Sequence, residues 1–347
     1  MEQQPALCVL RLSALGDCIN AFGLLGALKQ SYPAMPITWV IDKRFAPLFC
    51  DEQGHDLISM VRVDFKGQGL KSVLDLKKEL KGQSFTQLFN LQTSIKSSLC
   101  SLAIKAQAKY GYDKERAREG HSLFINHAVP SPTNPHVLSG FLAFAKAANL
   151  PVKAPYWDFK LDPYLIDKAQ CLLNHERTFV ISPCSAKANK NWTIKGYIAL
   201  AQHAQSKGLQ VALLGGPSTL EKDTCAHIEQ ECPSCINLCG KTTLRELAAI
   251  LSISKLLLAP DSGSMHLASA LNTPVIGLFA RHDDKRVGPW NFMDLNVSVY
   301  HELAKQELQS DTIPWRYRIK QEQAMEHITI ERVIQAFDEA CLRFDIL

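Results

Sequence analysis

Four short stretches of this sequence set small residues beside charges in a spacing that suits anion and proton chemistry. In Arg11-Leu-Ser-Ala-Leu-Gly-Asp17 the glycine lets the backbone turn tightly, and Asp17 opens a helix, either as its cap or as a proton acceptor. Pro183-Cys-Ser-Ala-Lys-Ala-Asn-Lys-Asn-Trp192 carries Lys187 and Lys190 just ahead of a helix. Two ammonium groups there can hold a diphosphate, or they are solvated loop charges. Gly215-Gly-Pro-Ser-Thr-Leu-Glu221 lets a ligand approach the backbone, and Glu221 can accept hydrogen bonds from ribose hydroxyls. It lacks the spacing of a dinucleotide fingerprint, which argues against a dehydrogenase. The most informative stretch is Ala259-Pro-Asp261-Ser-Gly-Ser-Met-His266-Leu-Ala-Ser-Ala270. A helix starting at Ser262, Gly263 and Ser264 offers free N–H groups to the negative charge of a departing phosphate. His266, one turn in, is either a phosphate partner or a satisfied buried imidazole.

Elements able to position these loops are readable in the same sequence. Ala6–Leu12 is a continuous apolar run of the length of a buried parallel strand, followed by a helix over Asp17–Gln30. Strands are expected at Ile37–Ile41 and Gln87–Leu91, with a helix over Ser94–Ala106. Proline-rich connections fall at Val129–Pro135 and Leu150–Pro163. The alternation then restarts, with strands at Thr178–Ser182, Gln210–Leu214, Cys235–Leu238, Leu256–Ala259 and Val275–Phe279. Helices lie between them at Ile194–Ser206, Ser218–Glu231, Thr243–Ile253 and Ser264–Leu271, and Ile330–Phe344 has the spacing of an amphipathic closing helix. Strands alternating with helices predict parallel sheets with right-handed crossovers. Two Rossmann-like α/β domains follow, residues 1–155 and 156–347, with room for the last helix to pack back toward the first domain. Ligands in such folds sit at the C-terminal ends of strands, so each chemical loop above stands where a ligand would.

Composition agrees with this picture. The chain has 347 residues, 46% of them hydrophobic and 21% charged, enough for two cores. A net charge of +4, with basic residues scattered, favours an anionic small molecule or a phosphate-rich membrane surface over nucleic acid. No apolar run reaches the roughly 18 residues of a membrane span, so any membrane contact is expected to be peripheral. Eleven cysteines and an N-terminus without signal-peptide character predict reduced thiols in the cytoplasm. Cys225, Cys232, Cys235 and Cys239 are irregularly spaced and read as core packing rather than zinc ligands.

Taken together and in order, the Arg-Leu-Ser-Ala-Leu-Gly-Asp opening, the Lys-x-Trp at Lys190, the Gly-Gly-Pro and the Asp-Ser-Gly-x-x-His-x-Ala resemble glycosyltransferase family 9, the lipopolysaccharide heptosyltransferases. The resemblance runs from Leu10 to about Phe337 and lies nearest the enzyme that adds the first heptose. It implies a GT-B architecture, acceptor on the N-terminal domain and nucleotide sugar on the C-terminal one, and inverting transfer of heptose from ADP-heptose to the Kdo region of the core. On that resemblance Asp17 is the base, and Lys190 holds the donor phosphates. Asp261, Ser262, Gly263 and His266 cradle the diphosphate, and Glu221 touches the nucleoside. Asn90-Leu-Gln-Thr-Ser-Ile-Lys96, Arg116-Ala-Arg118-Glu and Pro135-His136, joined by Arg62 and Lys66, resemble the stretches that meet the acidic acceptor sugars. No cofactor or metal is implied, and the expected place of work is the cytoplasmic face of the inner membrane. Two departures stand out: Asn20 replaces a histidine, and Ala280-Arg-His-Asp-Asp284 replaces a Gly-x-Thr-Asp-Pro loop. They leave open another nucleotide sugar. A nucleotide-sugar epimerase or hydrolase of like fold would need the phosphate loops but not the basic acceptor residues, and a nucleotide-sugar sensor or scaffold would keep Ser262 to His266 while tolerating loss of Asp17.

Overall fold

The structure, a computed structural model, describes residues 6–173 and 177–347. Met1–Pro5, part of the stretch on which the lack of a leader is read, lie outside the described residues. The chain forms two compact units, dividing between Lys160 and Leu161.

The first unit holds strands β1 (Leu7–Leu10), β2 (Ile37–Asp42), β3 (Met60–Val63), β4 (Phe85–Asn90), β5 (Ala106–Tyr112) and β6 (His127–Val129), all parallel, in the order β3-β2-β1-β4-β5-β6. Among helices of more than one turn it carries α1 (Leu15–Ser31), α2 (Lys71–Glu79), α3 (Ile95–Ala103) and α4 (Val137–Ala147). β1 is buried at all four residues because helices cover both faces of a parallel sheet, which is why it reads as an unbroken apolar run. α1 is apolar almost all round for the same reason, and it is crossed at close range by the strap after α4. Tyr156 N–H donates to Gly23 O (2.9 Å) and Trp157 Nε1 to Ile19 O (2.8 Å). A Cβ on Gly26 would lie 2.2 Å from Tyr156 O, so only glycine fits there. The helix expected over Ser94–Ala106 stops at Ala103, because Ala106 already pairs as the first residue of β5.

The second unit repeats the plan with β7 (Thr178–Ile181), β8 (Gln210–Leu213), β9 (Ile236–Asn237), β10 (Leu256–Pro260), β11 (Val275–Phe279) and β12 (Val297–Ser298), in the order β12-β11-β10-β7-β8-β9. Its longer helices are α5 (Pro163–Leu173), α6 (Ile194–Ser206), α7 (Thr219–Glu231), α8 (Leu244–Ile253), α9 (Gly263–Ala270), α10 (Tyr300–Leu308) and α11 (Ile330–Arg343). Side-chain caps fix where several begin: Thr193 Oγ1 accepts Gly196 N–H (3.1 Å), and Thr243 with Glu246 closes a reciprocal capping box on α8. α11 buries Val333, Phe337, Ala340 and Cys341 in this unit's core, with Phe337 edge-on to Phe179 at 4.9 Å. Cys225, Cys232, Cys235 and Cys239 lie in the same core, where burial raises their thiols, that of Cys235 to about 12.

Both sheets share one topology. From β1 the chain winds outward through β2 and β3, then returns to β4 and winds the other way; β7 and β10 are the corresponding pair in the second unit. The fold is the two-domain Rossmann-like GT-B class, and in each unit the strand order reverses at a crevice where ligands of such sheets bind.

Candidate functional site

In the first unit the crevice lies between the loops after β1 and β4. Gln92, beyond β4, accepts the N–H groups of Leu12 (2.9 Å) and Ser13 (3.3 Å) and donates to Ser94 Oγ (2.8 Å), tying one loop to the other. α1 starts at Leu15 with Ala14 at its cap position, so Asp17 lies inside the first turn and makes no capping hydrogen bond. Of the two roles left open for it, the cap is therefore not the one it takes. Its carboxylate instead meets the Arg11 guanidinium, which also donates to Leu91 O and lies over the Phe141 ring at 5.5 Å. The Asp17 side chain stays one-third exposed while Arg11 is mostly covered, an acid steadied from behind and open in front. Arg11 is a site residue that residue-by-residue reading missed, though it stands in the same motif.

The expected acceptor residues divide. His136 is buried and caps α4, its Nδ1 accepting Leu138 N–H at 3.0 Å. Arg62 is paired with Asp56. Lys96 lies over the Phe65 ring at 5.8 Å, while Lys66 and Arg118 are exposed and have no ion pair among the described residues. Arg116, beside Arg118, is buried against Asp113 (Nε to Oδ2, 3.0 Å) and Tyr112 and holds the loop in place. Asn20 is buried in α1.

In the second unit the loops after β7, β10 and β11 converge. Lys190 Nζ donates to Asp261 O at 2.7 Å and Oδ2 at 3.0 Å, and His282 Nδ1 sits 2.7 Å from the same Oδ2. Burial alone would push the Asp261 carboxyl up. The His282 hydrogen bond and the charges of Lys190, His282 and His266 outweigh it and hold the group far below the usual carboxylate range. Burial pushes His282 down, and with the nearby charges of Lys190 and Arg286 it outweighs the lift from Asp261. Ser262 caps α9, accepting Met265 N–H, and a hydroxyl chain runs from Ser262 to Ser264 (2.9 Å) and on to Ser182 (2.8 Å). His266 is buried one turn into α9. A helix start with the Lys190 ammonium beside it gathers N–H donors and one fixed positive charge in one place, suited to an anion and to charge developing on a leaving phosphate. His282 was also missed; its position three residues past the apolar run of β11 is the signal that could have found it.

Glu221 has a local role in the loop after β8. Its carboxylate accepts Gly216 N–H at 2.7 Å and the Ser218 hydroxyl, fixing the Gly-Gly turn. For metals, one set among the described residues, Asp283, Asp284 and His301, brings three ligand atoms within 4.8 Å. Both carboxylates already hold the loop, Asp283 through Lys285 N–H (3.0 Å) and Asp284 through the Ser298 hydroxyl (2.7 Å).

The family model "Glycosyltransferase family 9 (heptosyltransferase)" matches residues 73–327. The chain belongs to glycosyltransferase family 9. It is therefore a glycosyltransferase. A family relative, the lipopolysaccharide core heptosyltransferase OpsX of Haemophilus influenzae, is 37% identical over 96% of this chain and 96% of its own length. In fold the chain is similar to a family 9 glycosyltransferase of Veillonella parvula (TM-score 0.75, 19% identity, 99% of each chain). It is likewise similar to Escherichia coli heptosyltransferase WaaC with ADP (TM-score 0.73, 18% identity, 96% of this chain and 99% of that one). Membership of the family does away with the epimerase, hydrolase and sensor alternatives and leaves the sugar and the acceptor to be argued from the site.

Proposed function

We propose that this family 9 enzyme transfers a heptose from ADP-heptose to the Kdo-bearing inner core of a lipopolysaccharide precursor, with inversion at the anomeric carbon. The observation that carries the reading is the Lys190 ammonium held by Asp261 at the start of α9, with His282 on the same carboxylate, a preformed seat for a diphosphate leaving group at the strand-order reversal. The names of relatives, a lipopolysaccharide core heptosyltransferase among them and one solved with ADP, support the choice of donor and acceptor class.

Asp17 takes the proton of the acceptor hydroxyl as its oxygen bonds to the anomeric carbon. The bond from that carbon to the diphosphate oxygen breaks, and the electron pair leaves with ADP. Positive character gathers on the sugar ring and negative charge on the leaving phosphate, where Lys190, His282 and the Gly263 and Ser264 N–H groups are placed to receive it. Arg11 positions the base and is not itself at the reacting atoms. Ser262 orders the α9 start, His266 adds charge behind Asp261, and Glu221 holds the Gly-Gly loop against the nucleoside. Lys66, Lys96 and Arg118 are the exposed cations suited to acceptor carboxylates, with Arg62 and His136 shaping the loops around them.

A panel of nucleotide sugars followed by thermal stabilisation tests the donor. ADP-heptose should raise the melting temperature most, because a ligand bound only by the folded state stabilises it by mass action. A larger rise with a UDP- or GDP-sugar would overturn the donor. Product analysis with a Kdo-bearing acceptor tests transfer, and retention of anomeric configuration would overturn the mechanism.

A further inference from the structure

We propose that the face of the first unit formed by α2, α3 and the turn His121–Phe124 docks onto an anionic lipid surface. Helix α3, Ile-Lys-Ser-Ser-Leu-Cys-Ser-Leu-Ala, is folded inside out. It buries Ser97, Ser98, Cys100 and Ser101. Ile95 and Leu102 face outward at 45% and 62% exposure, with half-buried Leu99 between them. Positions 95, 99 and 102 follow the i, i+4, i+7 spacing of one helical stripe, so the apolar stripe is the outer one. Two of the inward hydroxyls are bonded locally, Ser97 Oγ to Gln92 O (2.6 Å) and Ser101 Oγ to Ser98 O (2.7 Å), which lowers the cost of the inversion.

The neighbours of α3 extend the stripe. α2, packed beside it, turns Ser72 and Leu76 inward and presents Leu70 and Leu74 at 68% and 61% exposure. The turn on the other side presents Leu123 at 85%. Isolated exposed leucines need no explanation, but six aliphatic side chains on three packed elements make a patch that water does not favour.

Charge says what covers it. The helical spacing of α2 places Lys71, Lys77 and Lys78 on the same outward side as Leu74; Leu70 just before the helix and Lys81 just after it are exposed as well. Over residues 66–81 there are five lysines against Asp75 and Glu79. Two copies of this face would bring lysines against lysines, so self-association is disfavoured. Separated leucines among lysines match a bilayer, where each apolar side chain enters the acyl boundary while ammonium groups meet lipid phosphates. The inference goes beyond the proposed reaction, since its test involves neither donor nor acceptor.

Flotation of the full chain with vesicles of phosphatidylcholine alone, and with vesicles containing phosphatidylglycerol, tests it. Binding should appear on the anionic vesicles and weaken with salt. Exchanging Lys71, Lys77 and Lys78 for glutamine should weaken it roughly a hundredfold. A variant carrying Leu74→Ser, Leu102→Ser and Leu123→Ser should lose about tenfold and keep the salt dependence. All six positions are exposed, and circular dichroism would verify that each variant stays folded. Failure of the wild-type chain to float, or unchanged flotation of both variants, would overturn the proposal. So would a concentration-dependent dimer, seen by sedimentation, that the leucine variant dissociates.

Discussion

The two sheets run in the same strand order, yet the aspartate beside each reversal of that order lives in opposite surroundings. Asp17, at the first, has one cation partner behind it and a third of its side chain open. Asp261, at the second, is nearly enclosed, with Lys190 and His282 on the same carboxylate oxygen. An open acid can take up a proton. An enclosed one held far below its ordinary range cannot, and serves instead to hold Lys190 and His282 at the start of α9, the proposed diphosphate seat. The shared scaffold therefore decides where chemistry happens, and the loops decide which chemistry.

The largest test of that contrast is Asp17→Asn. Removing the proposed general base should lower kcat by roughly 10³-fold, with donor affinity by calorimetry unchanged, because on that reading the carboxylate matters only as the hydroxyl loses its proton. Retained turnover, or an equal loss of donor binding, would put the two aspartates in the same role. Next in size is Lys190→Ala, which strips one cation from Asp261 and one proposed partner from the donor. Loss of a charged hydrogen bond predicts donor binding weaker by about 10- to 100-fold, a change that should fall mainly on Kd. Normal donor affinity would show the second crevice is not the diphosphate seat. Smaller again is Arg11→Lys. A single ammonium cannot reproduce a fork that meets both Asp17 and Leu91 O, so kcat should drop by about tenfold with KM for the acceptor nearly unchanged. A rise in KM alone would place Arg11 on the acceptor rather than behind the base.

Much of this was legible in the sequence, and what was not has a physical reason. Central strands such as Leu7–Leu10 and Val275–Phe279 are buried on both faces and announce themselves as apolar runs. The two edge strands of the first sheet do not: Met60–Val63 carries exposed Arg62, and His127–Val129 is only three residues long with one of them buried. Lys190 and Asp261 could each be picked from their loops. That they touch, across 71 positions of sequence, is a property of β7 lying beside β10, which no local pattern contains. His282 was hidden in the loop noted only as a departure. Asp17 is the reverse case: its motif was plain, but helix propensity suggested a cap, and only the position of Ala14 at the helix start shows the carboxylate released for Arg11. Inverted α3 was missed because periodicity reports an apolar stripe without saying which side faces the core.

The smallest effect separates the two units by pH. Burial holds His282 below the ordinary imidazole value of about 6.5, so the unfolded chain binds a proton there that the folded one resists. Stability should fall as pH drops below that ordinary value and level off once the folded-state group titrates. Asp261, held low, contributes stability above the ordinary carboxylate range and loses it only at more acidic pH, outside this window. His121 in the first unit is also buried, pushed down to about 4, its Nε2 accepting Tyr112 N–H at 3.1 Å. Both units thus weaken on acidification, and a single melting curve cannot assign the loss. The difference between wild type and His282→Asn can: between pH 7.5 and 5.5 the variant's melting temperature should fall less, by a few degrees at most given about 2–4 °C per kcal/mol. An identical fall in both proteins would mean His282 is protonated as readily folded as unfolded, and that its place beside Asp261 is electrostatically no different from water.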